Sequence, residues 1–258
     1  MSTVVHPTAI IENGALLGSD VYVGPYCTIA KGARIGNGTR LQSHVVIDGI
    51  TEIGENNTFF PFCVIGAPPQ DLSYKDEPTK TIIGNRNVFR ESCTVHRGTT
   101  KDRLETRIGN DGYFMGFVHF AHDCLIGDRI IVANQTCFAG HVVVEDDVVI
   151  SGQVGVGQWV RIGAYAFIAG GAAVRKDVAP YLCVKDFSDV SGPNLVGLRR
   201  QKVGAEDVRI ASEIYKILYL GNLTTEKALG EIEARFGQAP FAKRFTDFVR
   251  QSKVGIQR

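Results

Sequence analysis

The chain has 258 residues, 28 basic and 27 acidic side chains, and a formal charge of +1. That near-neutral balance argues against a nucleic-acid binder, and no apolar run approaches the roughly 20 residues of a membrane span. The N-terminus has no basic start followed by an apolar stretch, so a cytoplasmic protein is expected, long enough to bury a core without disulfides or a metal.

From Val5 onward every sixth residue is bulky and apolar: Ile11, Leu17, Val23, Ile29, Ile35, Leu41, Ile47, Ile53, Phe59 and Ile65. The beat stops at Ala67-Pro68-Pro69 and resumes at Ile83, Phe89 and Val95. It breaks again, then runs from Ile108 through Phe114, Phe120, Ile126, Val132 and Phe138 to Val174. The residue two before each is usually small or medium, as in Ala9, Ala33, Thr51 and Asn57. The residue after is often glycine, as at Gly18, Gly24, Gly36, Gly54 and Gly66. A period of six is neither the 3.6 of a helix nor the alternation of a plain strand. It suits a short strand plus a turn, three of which close a triangular coil of 18 residues. The large residue and the small one two before it then share the inward face. Glycine is expected to relieve the backbone where the chain turns the corner. Twenty-six such hexads predict about nine coils, a prism roughly 40 Å long at strand spacing.

The fold class is therefore mainly β, a parallel β-helix over residues 1–184, with loop insertions at 67–80 and 97–107. Residues 185–258 form a C-terminal α-helical domain, with helices expected at 205–220, 225–236 and 241–251. Phe241, Phe245 and Phe248 make an aromatic stripe that reads as helix-packing core. This segment is mildly basic, which reads as a solvated helical face. Cys27, Cys63, Cys93 and Cys124 occupy the small inward slot and read as inert filler; Cys137 and Cys183 do not. Nothing suggests a thiol nucleophile.

Loops that interrupt a regular solenoid often carry function, and here they flank a histidine cluster. His119, His122 and His141 lie close along the chain, with His96 one interruption earlier. His122 is two past Phe120, hence near a corner. A step of 18 residues climbs one coil, so His122 should lie beneath Gly140, beside His141, with Gln158 above. Three roles compete for these imidazoles. A zinc site of the solenoid carbonic-anhydrase kind uses a close pair five apart, whereas His119 and His122 are three apart, so no metal is expected. Structural histidines on an outer face are the second. General base catalysis fits best: a neutral imidazole can take a proton from a sugar hydroxyl. The adjacent Asp123 could hold its tautomer, and Gly140 offers an unobstructed backbone N–H for an oxyanion. The missing nucleophile implies direct transfer without a covalent enzyme intermediate, and no cofactor.

The residues resemble a known family, the bacterial UDP-N-acetylglucosamine O-acyltransferases of lipid A synthesis, built on hexapeptide repeats. The match includes His6-Pro7-Thr8-Ala9-Ile10, Gln70-Asp71-Leu72, Arg90-Glu91 and Thr94-Val95-His96-Arg97-Gly98-Thr99. It continues through Ala121-His122-Asp123-Cys124, Asn134, Ala139-Gly140-His141-Val142 and Gly197-Leu198-Arg199-Arg200. The resemblance implies a left-handed coil and a homotrimer with sites in the clefts between subunits. It implies an acyl carrier protein that donates a 3-hydroxyacyl thioester to the 3-position of a UDP-amino sugar. His122 would be the general base, Asp123 its partner and Gly140 the oxyanion donor. Asp71, Tyr74, His96, His119, His141 and Gln158 would form the substrate-binding set, while Asn194 and Arg200 would hold the nucleotide end. Gly170 falls at the chain-length position, where the lack of a side chain should admit a longer acyl group. Gly170 is eight hexads beyond His122, hence on a different corner; if both serve one substrate, a neighbouring subunit is expected to bring them together.

The chain departs from the family at three places. Ser73 stands where a lysine is usual, which removes a cation near the phosphates or sugar. Gly157 precedes Gln158 where a histidine is usual. Lys185-Asp186-Phe187 replaces a Gly-Asn turn. These changes bear on the acceptor and leave open transfer to the 3-amino analogue of the sugar nucleotide, giving an amide. A non-catalytic trimer that binds sugar nucleotide or carrier is a separate alternative, against which the retention of His122, Asp123 and Gly140 argues.

Overall fold

In the computed structural model, which describes residues 2–185 and 189–258, every hexad becomes a strand. Asp186 and Phe187, and with them most of the third departure, lie outside the described residues. Twenty-six short strands run from β1 (Val4–Val5) to β26 (Ala173–Val174) and join three parallel sheets in rotation. The first sheet takes β1, β4, β7 and onward, the second β2, β5 and β8, the third β3, β6 and β9. The register keeps step with the sequence: Val5 pairs with Val23, Ile11 with Ile29 and Leu17 with Ile35. The result is a parallel β-helix of triangular section.

The hexad residues fill the prism, and from Val23 through Val174 they are buried. The slot two before them is buried as well, by Cys27, Ala33, Val45, Thr51 and Asn57 among others. Each fully buried Phe, Ile or Leu contributes roughly 1.5–3 kcal/mol, so the repeat is itself the main source of stability. The phenylalanines stack along the axis: Phe59 on Phe89 at 4.8 Å, and Phe120 on Phe138 at 4.7 Å. Most polar residues in the slot are hydrogen-bonded, Thr81 being an exception whose buried hydroxyl has no partner among the described residues. Asn57 Oδ1 accepts from Asn87 N at 2.9 Å, and Asn87 Oδ1 from Gly112 N at 2.8 Å. Burial raises the thiol pKa of Cys27 and pushes that of Cys124 up to about 12, in keeping with inert filler.

The corner glycines have a different reason from the one expected. The residue in the left-handed region is the third after the hexad residue, not the first. It is usually not glycine, as at Asp20, Tyr26, His44, Asp123, His141 and Trp159, all with φ between 58° and 65°. Gly18, Gly24, Gly36 and Gly54 are instead forced by close approach. A Cβ on Gly24 would sit 2.6 Å from the Gln42 carbonyl oxygen, and one on Gly36 would sit 2.5 Å from the Gly54 carbonyl carbon. Of the five, only Gly66 combines a crowded site with a positive φ.

The insertions are shorter than expected. The first leaves between β11 (Val64–Ala67) and β12 (Lys80–Ile83), the second between β14 (Thr94–His96) and β15 (Glu105–Ile108). Residues 105–107, expected as loop, pair instead with β12 in full register. After β26 the chain adds β27 (Leu182–Val184), parallel to β25 (Phe167–Ile168), and β28 (Val190–Pro193), antiparallel to β27. Four helices follow: α1 (Leu195–Arg200), α2 (Ala205–Tyr215), α3 (Thr225–Phe236) and α4 (Pro240–Arg250). The short α1 was not expected, and the end of the first expected helix widens into a π-helical turn at Lys216–Leu220. The helical core reaches back to Ala179, Tyr181 and Leu182. Tyr181 stacks on Phe241 at 3.7 Å, fastening α4 to the end of the prism. No described helix is long and apolar enough to cross a membrane.

Candidate active site

The site grows from the coil that carries β17 (His119–Phe120). Phe120 points inward, so His119 faces out and His122 lies on the turn from the second sheet to the third. One coil higher, Gly140 sits against the His122 ring. A Cβ there would lie 2.5 Å from Cε1 and 2.8 Å from Nε2, so the ring occupies the space that a side chain would fill. The 18-residue step thus holds, and Gln158 lines the same groove. That groove, about 490 Å³, runs up the second sheet past His119, Cys137, Gly155 and Ala173, with Gln70 of the first insertion on its wall.

His122 Nδ1 lies 2.9 Å from Asp123 Oδ2. A carboxylate only accepts, so Nδ1 carries the proton and Nε2 is left as the basic nitrogen. Asp123 is fully buried, and burial alone would raise its carboxyl pKa. Hydrogen bonds from His122 and Thr99 outweigh that and hold it below the usual range. Thr99 donates through its N–H at 3.0 Å and its hydroxyl at 2.6 Å. Among the described residues the Gly140 N–H donates to nothing, while the Gly140 carbonyl accepts from Trp159 N at 3.2 Å.

The neighbouring histidines are not equivalent to His122. His141 is buried, meets the His122 ring edge-on at 5.0 Å and lies flat on Trp159 at 3.8 Å. Its Nδ1 is 3.3 Å from Asp102 Oδ2. His141 and Trp159 line a second cleft, on the far side of the corner. His119 Nδ1 is paired with the Thr94 hydroxyl at 2.7 Å, and burial lowers its pKa. His96 is buried beside His119 with no partner at Nδ1. Burial, then the positive potential of His119, His122 and Arg97, pushes its pKa down to about 4.

His96 therefore stays neutral in the fold while the unfolded chain protonates near the ordinary 6.5. Stability from this group is complete above pH 6.5 and is lost as pH falls toward about 4, by about 3 kcal/mol in all. Denaturant unfolding at stepped pH should show that slope, and His96→Gln should make it shallower by that amount. An unchanged slope would mean that the folded state protonates this ring freely.

The remaining expected residues lie apart within the chain. The Tyr74 hydroxyl donates to the Glu77 carbonyl at 2.8 Å inside the first insertion, and Asp71 faces Lys101. Asn194 caps α1, accepting from Gly197 N at 2.9 Å, and donates to the Tyr165 carbonyl at 2.8 Å. With Arg200 it borders a cavity of about 440 Å³ over the first sheet, away from His122. Gly170 sits on the turn from the first sheet to the second. It is on a different corner from His122, as expected, but the two corners bound the same second-sheet face.

His122, Asp123 and His141 place donor atoms within 4.8 Å of one another, close enough to hold a cation. The donor set fits one poorly. The Asp123 carboxylate already accepts three hydrogen bonds, and one of them ties up Nδ1 of His122.

Comparison with known proteins bears on the whole chain. Residues 177–257 match the family model described as UDP-N-acetylglucosamine O-acyltransferase, domain 2, and residues 14–49 match the bacterial transferase hexapeptide repeat. The UDP-N-acetylglucosamine acyltransferase of Francisella novicida is 37% identical, with a TM-score of 0.96 over 99% of this chain and 94% of that one. The Acinetobacter baumannii enzyme is 40% identical, with a TM-score of 0.95 over 98% and 99%. The Arabidopsis enzyme is 33% identical, with a TM-score of 0.86 over 99% and 100%.

Proposed function

The chain belongs to the UDP-N-acetylglucosamine O-acyltransferase family and is an acyltransferase of lipid A synthesis, and from that premise we propose that it moves a 3-hydroxyacyl chain from acyl carrier protein to the 3-hydroxyl of UDP-N-acetylglucosamine. One observation carries the mechanism: an imidazole oriented by a buried carboxylate and packed into the space a side chain on Gly140 would fill, beside a residue whose backbone N–H has no partner among the described residues. Nε2 of His122 takes the proton of the sugar 3-hydroxyl as that oxygen attacks the thioester carbonyl. Negative charge gathers on the carbonyl oxygen and is met by the Gly140 N–H. The intermediate collapses, the C–S bond breaks, and the carrier thiolate leaves with the proton from His122. Asp123 keeps the imidazolium paired throughout.

In this reading His119, His141, Gln158, Asp71, Tyr74 and His96 contact the acceptor or acyl chain. Asn194 and Arg200 reach the nucleotide from a neighbouring subunit of a homotrimer. Two observations support that last point. The cavity beside Asn194 and Arg200 is remote from His122 within one chain. Tyr26, Phe62 and Phe117 also leave exposed rings along one corner of the prism. The groove beyond Gly140 is floored by Gly155 and Ala173 and leads toward the Gly170 corner, which suits a long acyl chain.

The 3-amino acceptor is the second reading, and Ser73 and Gly157 favour it. Lys101 weighs against it, because its ammonium lies 2.6 Å from Asp71 and supplies the positive charge that Ser73 lacks. Purified protein offered mixed 3-hydroxyacyl carrier thioesters and both sugar nucleotides should yield the 3-O-acyl ester, identified by mass spectrometry. Amide alone would move the acceptor to the 3-amino sugar; neither product would leave only a binding role.

A further inference from the structure

The second insertion is short, yet three of its residues reach three parts of the site. Thr99 holds Asp123 by two hydrogen bonds. The Lys101 N–H donates back to the Thr99 hydroxyl at 3.3 Å, while its ammonium bridges to Asp71 Oδ2 at 2.6 Å. Asp102 meets His141. The first insertion otherwise keeps its polar contacts to itself. Ser73 donates to Asp71 Oδ1 through N at 2.9 Å and Oγ at 2.8 Å, and Lys75 N donates to Glu77 at 2.8 Å. Among the described residues, Lys101 is thus the one hydrogen-bonded or ionic tie between residues 70–79 and the rest of the molecule. Lys101, followed by the Ser73 bonds, holds the Asp71 carboxyl well below the usual carboxylate range.

We propose that residues 99–102 form a strap that fixes the first insertion over the groove, with Lys101 positioning Asp71 and Asp102 positioning His141. An exposed ion pair on two free loops would contribute little, because both side chains must be ordered to form it. Here one end is already ordered: two residues away, Thr99 is fixed to the buried Asp123. The placement of Asp71 is thereby referred to the same carboxylate that orients the base. A loop held this way acts on substrate placement rather than on the chemical step. The proposal rests on the acyl-transfer reading, in which Asp71 and His141 touch the acceptor.

Steady-state kinetics on the full chain, with UDP-N-acetylglucosamine and a 3-hydroxyacyl carrier thioester, test it. Lys101→Met is expected to raise KM for the sugar nucleotide about five- to twentyfold, with kcat and the donor KM within about twofold. Lys101→Arg should bring that KM back to within about threefold of wild type, because a cation at the same reach restores the bridge. Asp71→Asn combined with Lys101→Met should be no worse than Asp71→Asn alone, since the two residues act as one unit. Asp102→Asn should raise the same KM. Hydrogen exchange of the amides at 70–77 should quicken in Lys101→Met. An unchanged sugar KM with unchanged exchange in Lys101→Met, or a loss confined to kcat, overturns the strap. Absence of product from wild-type protein would instead count against acyl transfer, and the exchange measurement would still decide the strap.

Discussion

His122→Ala lowers kcat by about 10²–10⁴-fold, while KM for either substrate moves far less. The loss falls on kcat because the ring matters most when the sugar oxygen sheds its proton. A mere packing role would behave otherwise. His122 is buried, so truncation leaves a small cavity and should lower the unfolding temperature modestly. Asp123 would still accept both Thr99 bonds, so the turn should keep its shape. Turnover within threefold of wild type, in protein with an intact fold, would remove this imidazole from the proton transfer.

Gly140→Ala should cost activity almost as heavily, although only a methyl group is added. Gly140 is not among the positive-φ residues, so alanine meets no backbone penalty there. Its Cβ would instead sit 2.5 Å from Cε1, 2.8 Å from Nε2 and 3.0 Å from Nδ1 of His122. Either the ring must turn off its bond to Asp123, or the backbone must shift and carry the Gly140 N–H with it. Both outcomes separate the base from the oxyanion donor, for which a loss of about 10²–10³ in kcat is the expected scale. The imidazole resonances of His122 should move, whereas the thermal transition should change by only a few degrees. Full activity in Gly140→Ala would show that the contact is incidental.

The solenoid was almost wholly legible. Each hexad residue of the sequence falls in one strand, because an inward side chain must recur wherever a coil closes on the last. The same periodicity placed Gly140 on His122, and it would also have found Trp159 on His141, since they too are 18 residues apart. What stayed hidden lies where the period is broken. Thr99, Lys101 and Asp102 sit in an insertion, so no spacing rule relates them to Asp123, Asp71 or His141. The corner glycines were located correctly and explained wrongly, because composition alone cannot separate a left-handed backbone from a neighbour too close for a Cβ. The six-residue α1 is too short to show a helical period, and its clearest mark is the capping Asn194.

Asp123, His141 and Trp159 all occupy the corner position whose backbone prefers to have no side chain at all, at φ of 59°, 64° and 65°. The chemistry is thus mounted on joints held against their own torsional preference, each at an expense of order 1 kcal/mol. Glycine at any of them would recover that torsional cost but give up the hydrogen bonds that Asp123 accepts or the stack of His141 on Trp159.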